Sequence, residues 1–434
     1  MQMDSGKKSR HSLRRLGGLV ALLTAALITG CNDDDNRNDN VKPSVLQAAW
    51  VAAPTDSYIL PTDGSQGLPL DTVENQTIRH IMNISAGGEG VRVRISNRFG
   101  TTPLKVGAVY VAPSLGGGRI DPAKNVQLTF SDSTNVTIAA GQEIWSDVVA
   151  MTVSKNIDLA ISMFLPEKAF AQTMHAGTNR SFFVANGNAT TQAQLALGTF
   201  PINGTVVSPM PLSPAYFITG IDVQNKTARG VVVAIGDSIT DGALSTLDGL
   251  SSYPNFLARR VAADEKLVDF SVINSGVGGN RLLTERTMGI YGERLLNRFE
   301  RDALNVTGVT HIIVLIGIND INYGKLEDPE KLQAGLQQLV DKAKAKNIKI
   351  FLGTVMPFEG SFTSIKGEST RQALNTWIRA NHARANGIID FDAATRDPAR
   401  PTQLLELYDS GDKLHPSDAG YEAMAKAVDL TLLH

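Results

Sequence analysis

The stretch Val231-Val232-Val233-Ala234-Ile235-Gly236-Asp237-Ser238-Ile239-Thr240-Asp241-Gly242 decides the fold. Its first five residues are apolar and four of them are β-branched, the composition of a strand buried on both faces. Gly236-Asp237-Ser238 then breaks that strand into a polar loop. In open α/β sheets the side chains emerging at such a strand end face a crevice, which makes Ser238 a candidate nucleophile. A serine after a strand is, taken alone, most often a turn residue or a helix N-cap, so the rest of the chain has to decide.

Downstream, further strand-like runs at 267–273, 311–316, 348–354 and 388–391 alternate with helical stretches. The clearest helix has Asp328 as N-cap and Pro329 at its first position, and it puts Leu332, Leu336, Leu339, Val340 and Ala343 on one face. Five strands with intervening helices predict a doubly wound, mostly parallel sheet over 230–434. Upstream, the region 46–225 changes to short strands separated by Gly, Asn, Asp and Pro, at 78–84, 91–99, 106–111, 126–130, 135–139, 144–151, 157–165, 181–185 and 216–223. Val91-Arg92-Val93-Arg94-Ile95 alternates apolar and polar, the mark of a half-buried strand. With no amphipathic helix of ten or more residues, this half predicts an antiparallel sandwich or jelly roll.

The first 30 residues have the layout of an export signal: basic through Arg15, apolar from Leu16 to Ile28, then small or polar residues. The apolar run is short for a permanent span. Its end, Leu27-Ile28-Thr29-Gly30-Cys31, resembles a bacterial lipobox, which implies cleavage before Cys31 and lipid on its sulfur. That would hold the protein at a membrane surface of the cell envelope. Cys31 is the only cysteine, so no intrachain disulfide can form. Residues 31–45 are almost wholly polar and read as a tether. The net charge of −2 includes this basic leader. Its removal leaves a more acidic chain, against nucleic-acid binding.

A serine nucleophile needs a base, a group that orients the base, and donors for an oxyanion. Of seven histidines, His11 leaves with the leader, His80 and His175 lie in the β-rich half, His311 starts a strand, His382 sits in a helix and His434 is terminal. His415 follows the loop Asp409-Ser410-Gly411-Asp412-Lys413-Leu414 and precedes Pro416, which is expected to open the last helix. Asp412, three residues before it, can fold back beside the imidazole on a turn. Oxyanion donors are available in Asn274-Ser275-Gly276-Val277-Gly278-Gly279-Asn280-Arg281, where glycines allow close backbone approach, and in Gly317-Ile318-Asn319-Asp320.

These four segments, Gly236-Asp237-Ser238, the glycine-rich loop ending at Gly279, Gly317-Ile318-Asn319-Asp320 and Asp412-Lys413-Leu414-His415, stand in the order and spacing of the four blocks of the SGNH/GDSL hydrolase family, which 230–434 resembles. The resemblance implies an esterase or lipase of flavodoxin-like three-layer α/β/α fold with no metal or other cofactor. It implies Ser238 as nucleophile, His415 as base, Asp412 as its orienter, and an oxyanion hole made of the Ser238 N–H, Gly279 and Asn319. The preceding β-rich half resembles the amino-terminal module of a two-domain bacterial subgroup.

An α/β-hydrolase elbow and a His-Glu-x-x-His zinc motif are both absent from the sequence. Asp237, Asp241 and Asp320 read as loop hydrogen-bonding groups. The expected substrate is a carbohydrate carrying O-acetyl esters. A lipid or short-acyl ester is the second reading, and a carbohydrate-binding envelope lipoprotein is the reading of another class. Loops 244–253 and 358–368 are expected to border the acyl pocket, with Phe358 and Phe362 suited to an apolar chain and Ser361, Thr363 and Ser364 to a sugar.

Overall fold

Five strands carry the C-terminal half: β1 (Gly230–Gly236), β2 (Phe270–Gly276), β3 (Val309–Leu315), β4 (Lys349–Gly353) and β5 (Gly387–Ile389). They are hydrogen-bonded in the order β2-β1-β3-β4-β5, and every neighbouring pair is parallel. That order reverses direction between β1 and β3, the switch point outside which doubly wound sheets open a crevice. All seven residues of β1 are buried, as expected of the central strand of a covered parallel sheet. Burying side chains such as Val231 to Val233 contributes roughly 1.5–3 kcal/mol each.

The computed structural model describes residues 44–57, 71–199, 213–286, 289–361 and 367–434. The expected leader, Cys31, most of the tether, and Phe362, Thr363 and Ser364 lie outside the described residues.

After β1 the chain enters a one-turn helix, α1 (Ser238–Asp241), instead of the expected loop, because the Asp237 carboxylate caps it by accepting the Ile239 N–H at 3.0 Å. A second one-turn helix, α2 (Ile318–Ile321), follows β3. The helix α3 (Pro329–Ala345) starts where the sequence predicts, with Asp328 accepting from Glu330 N and all five residues of the apolar stripe buried. The last helix, α4 (Asp418–Ala427), starts after Pro416: the Ser417 hydroxyl caps it, while Pro416 bridges Asp409. The expected strand at 267–273 begins only at Phe270, since Leu267 is held in turns to Asp264 and Phe270.

The β-rich half is antiparallel. One sheet runs Val45–Val51, Ile218–Asn225, Gly88–Ser96, Glu143–Trp145, with Val149–Val153 also on Gly88–Ser96. The other runs Ala196–Leu197, Phe182–Asn186, Gln76–Ile84, Ile157–Leu165, Ala108–Pro113, Val126–Gln127. Val91, Val93 and Ile95 from the first and Ile78, Leu159 and Ile161 from the second share one core. The predicted strand 144–151 is split. Asp147 turns away, its N–H donating to Thr129 O at 2.8 Å while its carboxylate takes hydrogen bonds from Thr129, Ser131 and Asp132. Strand 216–223 is interrupted at Phe217, whose φ is 60°.

Lys42–His434 form one compact unit. The strand Val45–Val51, not foreseen in the sequence, stitches its halves together. Ala48 N donates to Thr307 O (3.0 Å), the Ser271 hydroxyl to Ala48 O (2.7 Å), and the Gln47 amide to Gly230 O (2.8 Å). Ala48 and Val51 belong to the core of the α/β half.

Candidate functional site

Ser238 opens α1 at the C-terminal end of β1. His415 reaches it from the loop before α4: His415 Nε2 lies 2.8 Å from Ser238 Oγ, and His415 Nδ1 lies 2.6 Å from Asp412 Oδ2. The other Asp412 oxygen accepts the backbone N–H groups of Leu414 (3.0 Å) and His415 (2.8 Å). The spacing of three residues therefore folds the carboxylate onto its histidine through a backbone turn. With Nδ1–H donating to the carboxylate, Nε2 keeps a lone pair facing the serine hydroxyl. Burial pushes the Asp412 carboxyl up. The hydrogen bond and charge of His415, with the two backbone donors, outweigh that and bring it down to about 2.

Gly279 sits in the loop after β2 with φ of 71°. A Cβ there would be strained and would collide with Tyr291 and Arg286. Asn319 is the second residue of α2, 3% exposed, and one of its two amide N–H groups goes to Asn280 O at 3.1 Å. The glycine loop and α2 are tied further by Asp320, whose carboxylate accepts from Leu282 N (2.9 Å) and Leu283 N (3.0 Å).

The sequence did not reveal Arg298, which is fully buried. Its guanidinium donates to Gly236 O (2.7 Å) at the end of β1, Ser275 O (3.0 Å) in β2 and Asn280 Oδ1 (3.0 Å) in the glycine loop. It ties the end of β1 to the end of β2 and the glycine loop that follows it, beside Ser238. Its sole sequence signal was a charge inside a short apolar segment, Leu295-Leu296-Asn297-Arg298-Phe299. Asn280 is a second omission: its amide bonds Tyr291 O and Glu293 O, both at 2.8 Å. The carboxylates of Asp237, Asp241 and Asp320 all accept backbone N–H groups, Asp237 from α1 and the other two from the segment after β2. Burial pushes Asp237 up to about 7 and Asp320 up to about 6, against the backbone hydrogen bonds each accepts.

Arg286 stacks on Tyr291 with its guanidinium carbon 3.5 Å from the ring centroid, and Tyr323 lies on it at 5.3 Å. The expected apolar contribution of Phe358 is not offered to a ligand: the ring is 2% exposed and belongs to the core. Among the described residues, no group of three or more His, Cys, Asp and Glu side chains is gathered as a metal site.

Residues 234–423 match the GDSL-like Lipase/Acylhydrolase family. The C-terminal half is a GDSL-like lipase/acylhydrolase domain. The chain is similar to the uncharacterized esterase YxiM of Bacillus subtilis (strain 168), with 27% identity over 124 residues, 27% of this chain and 32% of that protein. The match thus spans about a third of that relative's length. Among solved structures, the GDSL-like lipase of Bacteroides thetaiotaomicron VPI-5482 shares 22% identity over 47% of this chain and 87% of its own, with a TM-score of 0.35. Axe2, an acetylxylan esterase from Geobacillus stearothermophilus, shares 22% over 48% of this chain and 94% of its own, with a TM-score of 0.36.

Proposed function

We propose that the GDSL-like domain hydrolyses carboxylic esters through an acyl-enzyme on Ser238. The observation that carries the reading is the unbroken hydrogen-bond chain from Ser238 Oγ through His415 to Asp412. His415 Nε2 takes the serine proton as Oγ attacks the carbonyl carbon, and Asp412 stabilises the imidazolium that results. The tetrahedral oxyanion is held by the N–H groups of Ser238 and Gly279 and the free amide N–H of Asn319. His415 then passes its proton to the leaving alcohol. Water, deprotonated by the same nitrogen, releases the acid and restores Ser238.

For the substrate, a carbohydrate O-acetyl ester is the first reading. Two observations support a short acyl group on a polar alcohol. Phe358 is withdrawn into the core, and the surroundings of Gly279 are polar and aromatic (Asn280, Arg286, Tyr291, Tyr323). Tyrosine rings, apolar on their faces and polar at one end, suit the faces and hydroxyl edges of sugar rings. The second reading is a lipid or short-acyl ester. Export and lipid anchoring at Cys31 complete the proposal and rest on the leader and lipobox of the sequence.

The test is ester turnover by the purified chain on a short nitrophenyl ester, with Ser238→Ala as control. Loss of at least about 10⁴-fold in kcat at unchanged folding is expected, and equal rates would end the proposal. Acetate release from an acetylated glycan is expected to exceed fatty-acid release from a lysolipid. The reverse order would favour the lipid reading.

A further inference from the structure

A second histidine–aspartate pair lies across the junction of the two halves. His175, at the end of strand Thr173–His175 in the β-rich half, places Nε2 at 2.9 Å from Oδ1 of Asp241, the last residue of α1. The other Asp241 oxygen accepts Gly278 N–H at 3.1 Å. Asp241 O also accepts the Asn274 amide at 3.1 Å, and Gly276 packs so closely on Asp241 that any Cβ would strike its backbone. On its far side His175 Nδ1 faces Ala53 O at 2.9 Å. Histidine and aspartate are 6% and 9% exposed.

A carbonyl oxygen can only accept, so Nδ1 carries a hydrogen. Nε2 faces a carboxylate oxygen, so a further proton must lie between them. The link from Ala53 to Asp241 is complete only when the pair holds that proton. We propose that His175 is a positioning residue of the hydrolytic site: in its protonated pair with Asp241 it anchors the Gly278 N–H, and so sets the loop that presents Gly279 to the oxyanion. The inference rests on the hydrolase reading above. It makes the β-rich half part of the active centre, because Ala53 and His175 both come from it.

The charged groups facing the imidazole are Asp241 on α1 and Arg298 on the helix Leu295–Phe299. Asp56 stands on the adjoining strand, in register with Thr173. Arg180, paired with Asp158, lines the same 80 Å³ cavity as His175. Burial pushes the imidazole down and Arg298 opposes its charge. The charge and hydrogen bond of Asp241, with the Ala53 carbonyl, outweigh both and raise it above the ordinary histidine value. The raised value fixes the sign. The clamp is intact below the ordinary histidine range and is lost as pH rises through the elevated one.

His175→Ala is expected to lower kcat on the nitrophenyl ester about 10- to 100-fold, with KM changed less than about twofold, since the loop is misplaced without loss of substrate contacts. Asp241→Asn keeps the shape of the link without the extra proton: its NH₂ donates to a neutral His175 and its oxygen accepts Gly278 N–H. It is expected to cost less than about tenfold and to abolish the alkaline fall of kcat/KM that the clamp predicts for the wild type. An unchanged kcat in His175→Ala, or an alkaline limb surviving in Asp241→Asn, would overturn the clamp. An NMR titration of Ser238→Ala separates this from the fate of the hydrolase reading. There the His175 ring and the Gly278 amide should shift together at an elevated pH, and a His175 ring titrating alone at the ordinary histidine value refutes it.

Discussion

Two histidine–aspartate pairs hold the two ends of one four-residue helix, and they are wired in opposite senses. His415 meets the first residue of α1, Ser238, and its two nitrogens face a carboxylate and a hydroxyl. The hydroxyl can donate, so a neutral ring satisfies both neighbours and Nε2 stays free to take a proton. His175 meets the last residue, Asp241, and its nitrogens face a carboxylate and a carbonyl, neither of which can donate. The carboxylate partner is common to both pairs. What differs is the group on the other nitrogen, and that decides whether the imidazole serves as a base or as a fixed cationic strut.

The sharpest way to break the comparison is at Asp412. In Asp412→Asn the wrong tautomer is favoured on His415, and kcat is expected to drop by about 10³–10⁴-fold, measured on the nitrophenyl ester. A loss under tenfold would mean that backbone contacts alone orient the ring. Because Asp412 is held down to about 2, the pair contributes stability that is fully present above the ordinary aspartate range. That contribution fades only as pH falls towards 2.

Asn319→Ala removes a side-chain donor of α2 that bonds Asn280 O in the glycine loop the second pair positions, at an expected cost of about 10²–10³-fold in kcat. Combined with His175→Ala the losses should be less than additive, since both act on the same oxyanion. Strict additivity in the double mutant would divorce His175 from that loop.

The smallest effect belongs to Asp237, the cap of the helix both pairs flank. Its carboxyl, raised by burial to about 7, holds a proton in the folded state that the unfolded chain has lost above the ordinary aspartate range. Stability therefore falls as pH rises between that range and 7. Asp237→Asn keeps a capping oxygen and should flatten this part of the melting-temperature profile by a few degrees. A profile parallel to the wild type would show that the carboxylate is satisfied when charged.

The sequence made legible what is local or repeated. Val231–Ile235, the capped helix from Asp328 and the turn joining Asp412 to His415 each carry their instructions within a few residues. What escaped it depends on partners far along the chain. His175 looks like any histidine of a β-rich segment until folding sets it against Asp241. Arg298 joins the ends of β1 and β2, which only the folded sheet brings side by side. Nothing periodic in Val45-Leu46-Gln47-Ala48-Ala49-Trp50-Val51 announces that one strand serves two cores.

That strand has a consequence for the order in which the molecule can be assembled. It is the first described element to leave the ribosome, yet its sheet partner is Ile218–Asn225. The hydrogen bonds of Gln47 and Ala48 to Gly230 and Ser271 close over 183 and 223 residues. Neither half can finish while the nascent chain is short, and closure over such separations carries a high entropic barrier. The opening strand must wait, unpaired, until most of the polypeptide has been made.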